Sequence, residues 1–327
     1  MEPDRSHNVP AAVGHHQRSA QPAVGGRSHP VSGQPVIEVL RTGMLATIQD
    51  GGRPGYAHLG VPRSGAADIR SLHLANRLVG NDETAATIEI TLGNAAFLFH
   101  RAAVVALVGA PVPTRVSGTA VATDRILYIR QGEVLELAVP CCGLRTYLAV
   151  AGGLRAPLTL GSASTDTLSG LGPPPLQVGQ QLDVGLRHRP APVWPDCVPT
   201  PVPYRHDVHV RYRRGPRDDW FSDETLAQFD SARWTLTAES NRVGARLSGP
   251  VMAVARQDPL PSEGMVLGSI EIPPAGQPII FLADHPTTGG YPVIGVVDEY
   301  DVAVLAQTRP GSSIRFSRAM TTRSGQG

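Results

Sequence analysis

The densest cluster of reactive side chains in the sequence is Ala283–Pro292, ADHPTTGGYP. An apolar run, PIIFLA, leads straight into Asp284, His285, Pro286, Thr287, Thr288, Gly289, Gly290 and Tyr291, and a second apolar run, PVIGVV, follows at once. A strand–loop–strand segment holding a carboxylate, two hydroxyls and adjacent glycines suits a polar ligand. Backbone N–H groups around Gly289 and Gly290 can form an anion nest. Asp284 can orient an amide N–H or accept a proton. The competing reading is a hairpin whose glycines serve only the turn, although a plain hairpin has no need of such a polar cluster.

Three earlier segments carry further candidates. Thr47–Asp68, TIQDGGRPGYAHLGVPRSGAAD, could turn Gln49, Asp50, Arg53, Tyr56, Ser64 and Asp68 toward a ligand. The forked guanidinium of Arg53 matches a carboxylate or phosphate. Equally, the segment could be an ordered loop, with Asp68 capping the next helix. In Thr87–Leu92, TIEITL, strict alternation puts Glu89 on the face opposite Ile88 and Ile90, toward solvent or a barrel mouth. In Ser240–Pro250, SNRVGARLSGP, Arg242 sits in a predicted turn. It could hold an anionic substrate or tie the loop to backbone carbonyls.

These segments need a scaffold, and the surrounding pattern predicts a mainly β one with short helices. From Gln34 onward, short apolar runs alternate with Gly/Pro turns. Strands are predicted at 104–108, 125–129, 134–139, 146–151, around Val208–Tyr212, and at 279–283, 293–297, 302–305 and 314–316. Helices are predicted at about 67–79, ended by Gly80, and from about Ser222. Between Arg187 and His206 six prolines exclude a central strand or a helix interior. The expected organisation is therefore a disordered tail at 1–34, a first domain at 35–190, a Pro-rich linker at 191–206 and a second domain at 207–327.

Composition removes several kinds of chemistry. The chain has 327 residues, no lysine, and a net charge of +1. All cationic side chains are arginine. A P-loop lysine, a Schiff-base lysine and a biotin-bearing lysine are thus excluded within this chain. Balanced charge and an aromatic fraction of 5% argue against a nucleic-acid surface. No apolar stretch is long enough for a membrane span, and the first residues lack a secretory h-region, so a cytoplasmic location is expected. Cys141, Cys142 and Cys197 read as structural thiols. No metalloprotease, P-loop, nucleophile-elbow or dinucleotide motif occurs.

Taken in order, the segments resemble one family. Its members are variously called the C-type subunit of 5-oxoprolinase, the KipA-type kinase-inhibitor antagonist, allophanate hydrolase subunit 2 and biotin-dependent carboxyltransferase. The resemblance rests on TIQDGGRPGYAHLGVPRSGAAD, LANRLVGN, IEITLGN, YLAVAGGL with LGSASTDTLSGLG, SNRVGARLSGP, SEGMVLGSIEIPPAGQPIIFLAD and TTGGYPVIGVV, and spans about residues 38–318. Gly51 and Ala67 depart from it, standing where a larger apolar residue and Met are usual. The resemblance implies two tandem cyclophilin-like β-barrel domains. It implies two partners, the KipI-type B subunit plus the A-type subunit of the same complex. It also implies ATP-dependent opening of 5-oxo-L-proline to L-glutamate after the lactam is activated by phosphorylation. ATP and Mg²⁺ are then expected, shared with the partners, with no covalent biotin on this chain. Asp284 and Glu89 become the expected catalytic groups. Arg53, Tyr56, Ser64, Arg242, Thr287, Thr288, Gly289, Gly290 and Tyr291 become the expected substrate contacts, with Arg53 and Arg242 on the substrate or phosphoryl charge. Two alternatives stay open: a carboxyltransferase component of a biotin-dependent urea or amide carboxylase, and a non-catalytic regulator that binds a KipI-type kinase inhibitor.

Overall fold

Alternation of apolar and polar residues determines which face of each strand is buried, and the computed structural model follows it closely. It describes residues 36–123, 125–186, 206–256 and 258–319. The expected tail at 1–34 and all of the expected linker except His206 lie outside the described residues, as does Cys197. The described residues belong to one compact unit, Gln34–Gly327.

The protein is mainly β, and among the described residues no sheet mixes strands from before and after the proline-rich stretch. The first block builds two sheets. One runs, in spatial order, Leu154–Arg155, Gln181–Val184, Ile37–Thr42, Ala95–Phe99, Val134–Leu137, Thr114–Val116 and Thr119–Val121. The other runs Leu45–Gln49, Thr87–Thr91, Arg145–Val150, Ala103–Gly109 and Leu127–Ile129. Both sheets contribute to one apolar core that includes Ile37, Phe97, Leu135, Ile48, Ile88, Ile90 and Leu148. The second block closes into a seven-stranded barrel: Asp207–Arg214, Val293–Val297, Ser269–Glu271, Ile279–Phe281, Gly244–Ser248, Trp234–Leu236 and Ser313–Arg318. In its first strand Val208, Val210 and Tyr212 point inward while His209 and Arg211 face out, as their alternation predicts. The Tyr212 ring meets Phe229 and Phe316 edge-on, with centroids 5.3 and 5.8 Å away.

The two predicted helices form. Helix α1 covers Ile69–Val79, with Asp68 accepting from the Ser71 N–H at its start and Gly80 left-handed at its end. Its Leu72, Ala75 and Val79 pack on Ala106, Val108, Tyr147 and Ala149 of the five-stranded sheet. Helix α2 covers Asp223–Ser231, capped by Ser222. One element differs from expectation. Residues 302–305, predicted as a strand, lie inside helix α3, Glu299–Gln307. A four-residue apolar run does not distinguish the two periods. Here the acidic Glu299 and Asp301 favour the positive helix start. Val302, Leu305 and Ala306 then share one buried side. Among the described residues no helix is long and apolar enough to cross a membrane.

Gln307, the last residue of α3, fastens the second block to the first. Its side-chain oxygen accepts from the Leu144 and Arg145 N–H groups at 3.1 and 2.8 Å, and its amide donates to Asp68 Oδ2 and the Arg145 carbonyl, both at 2.9 Å. Gln307→Ala leaves the Leu144 and Arg145 N–H groups unpaired, while Asp68 Oδ2 and the Arg145 carbonyl keep Ser71 and Ala110, and should cost about 2–3 kcal/mol. The check is the urea midpoint at unchanged slope; a loss below about 0.5 kcal/mol would show that water or a local shift replaces the fastener.

Candidate functional site

Strand register accounts for the first half of the site. Thr87–Thr91 pairs with Arg145–Val150 so that Glu89 lies opposite Tyr147, and with Leu45–Gln49 so that Glu89 lies opposite Thr47. Ile88 and Ile90 fill the core, so Glu89 and Tyr147 emerge on the other face. That face is covered by α1 and the second block, which makes the whole strand buried. Glu89 therefore points neither to solvent nor to a barrel mouth.

The second block supplies the counterion. Arg242, in the bend before strand Gly244–Ser248, crosses to the first block. Its Nη1 donates to Glu89 Oε1 at 2.5 Å and its Nη2 to the Gly65 carbonyl at 2.5 Å. Nε and Nη2 each donate to one oxygen of Asp284 at 2.9 Å. Asp284 also accepts from Ser64 Oγ at 2.8 Å and from the Thr167 N–H and hydroxyl at 2.9 and 2.7 Å. Glu89 accepts from the Ala67 N–H at 3.0 Å and the Tyr147 hydroxyl at 2.8 Å, with Arg145 Nε 3.4 Å away. Arg242 is 2% exposed and Asp284 fully buried.

Burial alone would push the Glu89 carboxyl up, but the Arg242 and Arg145 guanidiniums outweigh it and hold it below the ordinary 4.5. Asp284 is likewise raised by burial and, on balance, lowered by Arg242 and Thr167. Both are carboxylates at neutral pH with their oxygens already engaged. Burial, with Glu89 and Asp68 nearby, keeps the Tyr147 phenol protonated as a donor.

Of the expected site residues, the structure brings Ser64, Glu89, Arg242 and Asp284 into this network. The others lie elsewhere. Arg53 does not converge with Arg242 on a shared anion: its Nη2 donates to the Ser164 carbonyl and its Nε to the Thr159 carbonyl, which braces a loop of the first block. Asp50 is consumed there as well, accepting from the Ser162 and Ser164 hydroxyls and the Ala163 N–H. Arg242 has spent four of its N–H bonds on protein acceptors, so it too differs from the expected substrate clamp. Tyr56 is half-buried beside a short 3₁₀ turn. Thr287 gives its carbonyl to the Met265 N–H. Thr288 and Gly289 form a two-residue strand against Glu263–Gly264, while Gly290 and Tyr291 are exposed. The expected anion nest is not formed: neither Gly289 nor Gly290 has the positive φ that a nest requires, because Thr288–Gly289 is committed to strand pairing.

The opening beside the network is a cleft whose walls come from both blocks: Ser64, Ala66 and Ala67 on one side, Leu267, Ala283 and His285 on the other. His285 had no expected role of its own, although its position next to Asp284 at a strand end was the signal available. The ring stacks on Phe281, with centroids 6.0 Å apart. Nδ1 lies 2.7 Å from the Pro286 carbonyl. Burial pushes its pKa below the ordinary 6.5 despite Asp284 and Asp166 nearby.

Known proteins resemble this chain in sequence and fold. Residues 59–318 match the family described as carboxyltransferase domain, subdomain A and B. The match takes in Ser64, Glu89, Arg242 and Asp284 and leaves out Arg53 and Tyr56. The chain is 36% identical over 292 residues to the C subunit of 5-oxoprolinase from Escherichia coli (strain K12), covering 86% of this chain and 90% of that protein. It is 32% identical to urea amidolyase of Saccharomyces cerevisiae, over 86% of this chain and 16% of that protein. Among solved structures, TTHA0988 superposes with a TM-score of 0.78 at 34% identity, and this chain spans 55% of its length. The Kluyveromyces lactis urea amidolyase superposes with a TM-score of 0.80 at 31% identity, over 89% of this chain and 19% of that one.

Removing Arg242 tests the network. In the wild type, carboxyls with lowered pKa values contribute stability that is full above their ordinary values of 4.5 and 3.8 and drains as pH falls through the lower folded values. Arg242→Met leaves Asp284 without a counterion and Glu89 with Arg145 alone, should cost about 3–5 kcal/mol at neutral pH, and reverses the sign at Asp284: that carboxyl, now raised by burial, loses stability as pH rises. Urea midpoints at about pH 4.5 and about pH 7 should therefore differ far more for the variant. An equal deficit at both would mean the carboxylates are not the origin of the loss.

Proposed function

Because this chain belongs to the carboxyltransferase-domain family, subdomain A and B, we propose that it is one subunit of an ATP-dependent 5-oxoprolinase. The observation that carries this reading is the match to the C subunit of 5-oxoprolinase along 90% of that protein's length. A second curated protein of the same name, from Haemophilus influenzae, is 32% identical over the same share.

The chemistry fits a shared site. A lactam amide is a poor electrophile, and phosphorylating its oxygen makes the carbonyl carbon far easier to attack. This chain has no lysine for a nucleotide's phosphates. Among the described residues no group of three or more His, Cys, Asp or Glu could hold a metal ion. Among those residues Mg²⁺ finds no ready-made cage, and it is usually held by one or two carboxylates together with substrate phosphates; in this reading nucleotide binding falls to arginines, backbone N–H groups and a partner. In this reading the KipI-type B partner completes the nucleotide site, the A-type partner completes ring opening, and the assembly is cytoplasmic. Glu89, Arg242 and Asp284 serve as the ionic frame that fixes the cleft.

The test is co-expression with the B-type and A-type partners, followed by assay of glutamate release from 5-oxoproline. Turnover is expected only with ATP and all three chains. A folded, complete complex that releases no glutamate would overturn the reading. The family description and the urea amidolyase match favour one second reading, carboxyl transfer from biotin carried on another protein, since no lysine here can bear it. Biotin-dependent carboxylation of a urea-like amide by the same complex would select it.

A further inference from the structure

The cleft holds two groups that the buried network leaves unspent. Arg63 lines it and is exposed. Its backbone is held by the bond from the Arg53 N–H to the Arg63 carbonyl, at 2.8 Å, while its guanidinium has no partner among the described residues. His285 lines the opposite wall. Its Nδ1 is engaged by the Pro286 carbonyl, which requires the Nδ1–H tautomer and leaves Nε2 as a lone pair. Among the described residues Nε2 has no hydrogen-bond partner. The Phe281 ring below fixes the imidazole plane.

We propose that Arg63 and His285 handle the substrate in this cleft, Arg63 binding the carboxylate of a small lactam acid and His285 Nε2 accepting the proton of its ring N–H. The proposal rests on the 5-oxoprolinase reading and assigns two residues within it. In the step concerned, the lactam oxygen forms a bond to the terminal phosphorus of a nucleoside triphosphate. The ring N–H bond breaks toward Nε2, and its electrons make the ring C–N bond double. The nucleoside diphosphate leaves with the electrons of the broken P–O bond. The proton stays on His285 as imidazolium.

The surroundings suit both protonation states. Burial keeps the resting imidazole neutral below the ordinary 6.5. The new cation faces Asp284, its chain neighbour, and Asp166 from the Thr165–Gly172 loop. Asp166 is 2% exposed, and its Oδ2 has no hydrogen-bond partner. Its Oδ1 is fixed by the Leu168 and Ser169 N–H groups. Glu299 and Arg63, the other charged groups lining the cleft, are exposed and screened. Arg63 is also the arginine that is free to meet a carboxylate here, since Arg242 is committed to protein acceptors and Arg53, braced on the Ser164 carbonyl with only Nη1 unpaired, does not line the cleft.

Two readouts test this. In the reconstituted complex, Arg63→Gln should raise KM for 5-oxoproline about 10- to 100-fold with kcat little changed. His285→Gln and His285→Ala should lower kcat about 100-fold or more, remove the acidic limb of the kcat/KM profile, and allow partial rescue of His285→Ala by imidazole. On the isolated chain, diethyl pyrocarbonate should modify His285, 5-oxoproline should slow that modification, and Arg63→Gln should abolish the protection. His285 variants with wild-type kcat and an unchanged acidic limb would overturn the proposal. So would modification that 5-oxoproline leaves unaffected. A wild-type complex that releases no glutamate would count against the oxoprolinase reading, and the modification experiment would still decide this one.

Discussion

The most deeply buried cation that ties the two halves of this molecule together is one guanidinium. Arg242 is buried between a carboxylate of each block, Glu89 at 2.5 Å and Asp284 at 2.9 Å. With Arg145 beside Glu89, each carboxylate of this pair faces at least one guanidinium. Buried ions are tolerated only when each is paired and its remaining hydrogen-bonding sites are satisfied. Local features follow from that demand. Gly65 holds φ at +95° so that its carbonyl can meet Arg242, and a Cβ there would press within 2.9 Å of the Gly52 nitrogen. Ser64 takes φ of 52°, unusual for a residue with a side chain, and its hydroxyl reaches both Asp284 and the Thr165 carbonyl.

Period and punctuation in the sequence reported local structure well. The alternation in TIEITL placed Glu89 on the face away from the core, and Asp68 capped α1 as one of its two readings allowed. Long-range pairing was not written there. Nothing in the spacing says that Arg242 will meet a glutamate 153 positions away, or that Gln307 will reach Asp68 across 239. The expected pairing of Arg53 with Arg242 failed for the same reason: both are arginines in loops that contain glycine, and only the fold reveals which acceptors each one finds. Residues 302–305 failed differently, because a run that short carries no period and the acidic residues before it were the better guide.

Neither His285 nor Arg63 was an expected site residue, since local sequence does not show which side chains the fold leaves unpaired. Their significance is negative. Each is a group facing the cleft that the fold does not use, beside charged groups that it uses fully. Buried charge draws attention in a structure, yet a saturated ion pair is chemically quiet. Asp284 accepts five hydrogen bonds and has no lone pair to offer. Perturbed titration marks sites and scaffolds alike, and here unspent donors and acceptors separate the two.

The same accounting explains why this chain fits the role of one member of a larger assembly. Any phosphoryl chemistry must stabilise several negative charges at once. This sequence has no lysine, and its two most deeply buried arginines are committed to protein oxygens. Diverting Arg242 to a phosphate would leave Asp284 without a counterion and Glu89 with Arg145 alone in the interior, at a cost of several kcal/mol. The frame cannot therefore double as the phosphate site. What it can do is hold a neutral imidazole and a free arginine at the rim of a cleft, so the cations that neutralise a nucleotide must come from outside the frame. The ion network that joins the halves thus also limits what the chain can do alone.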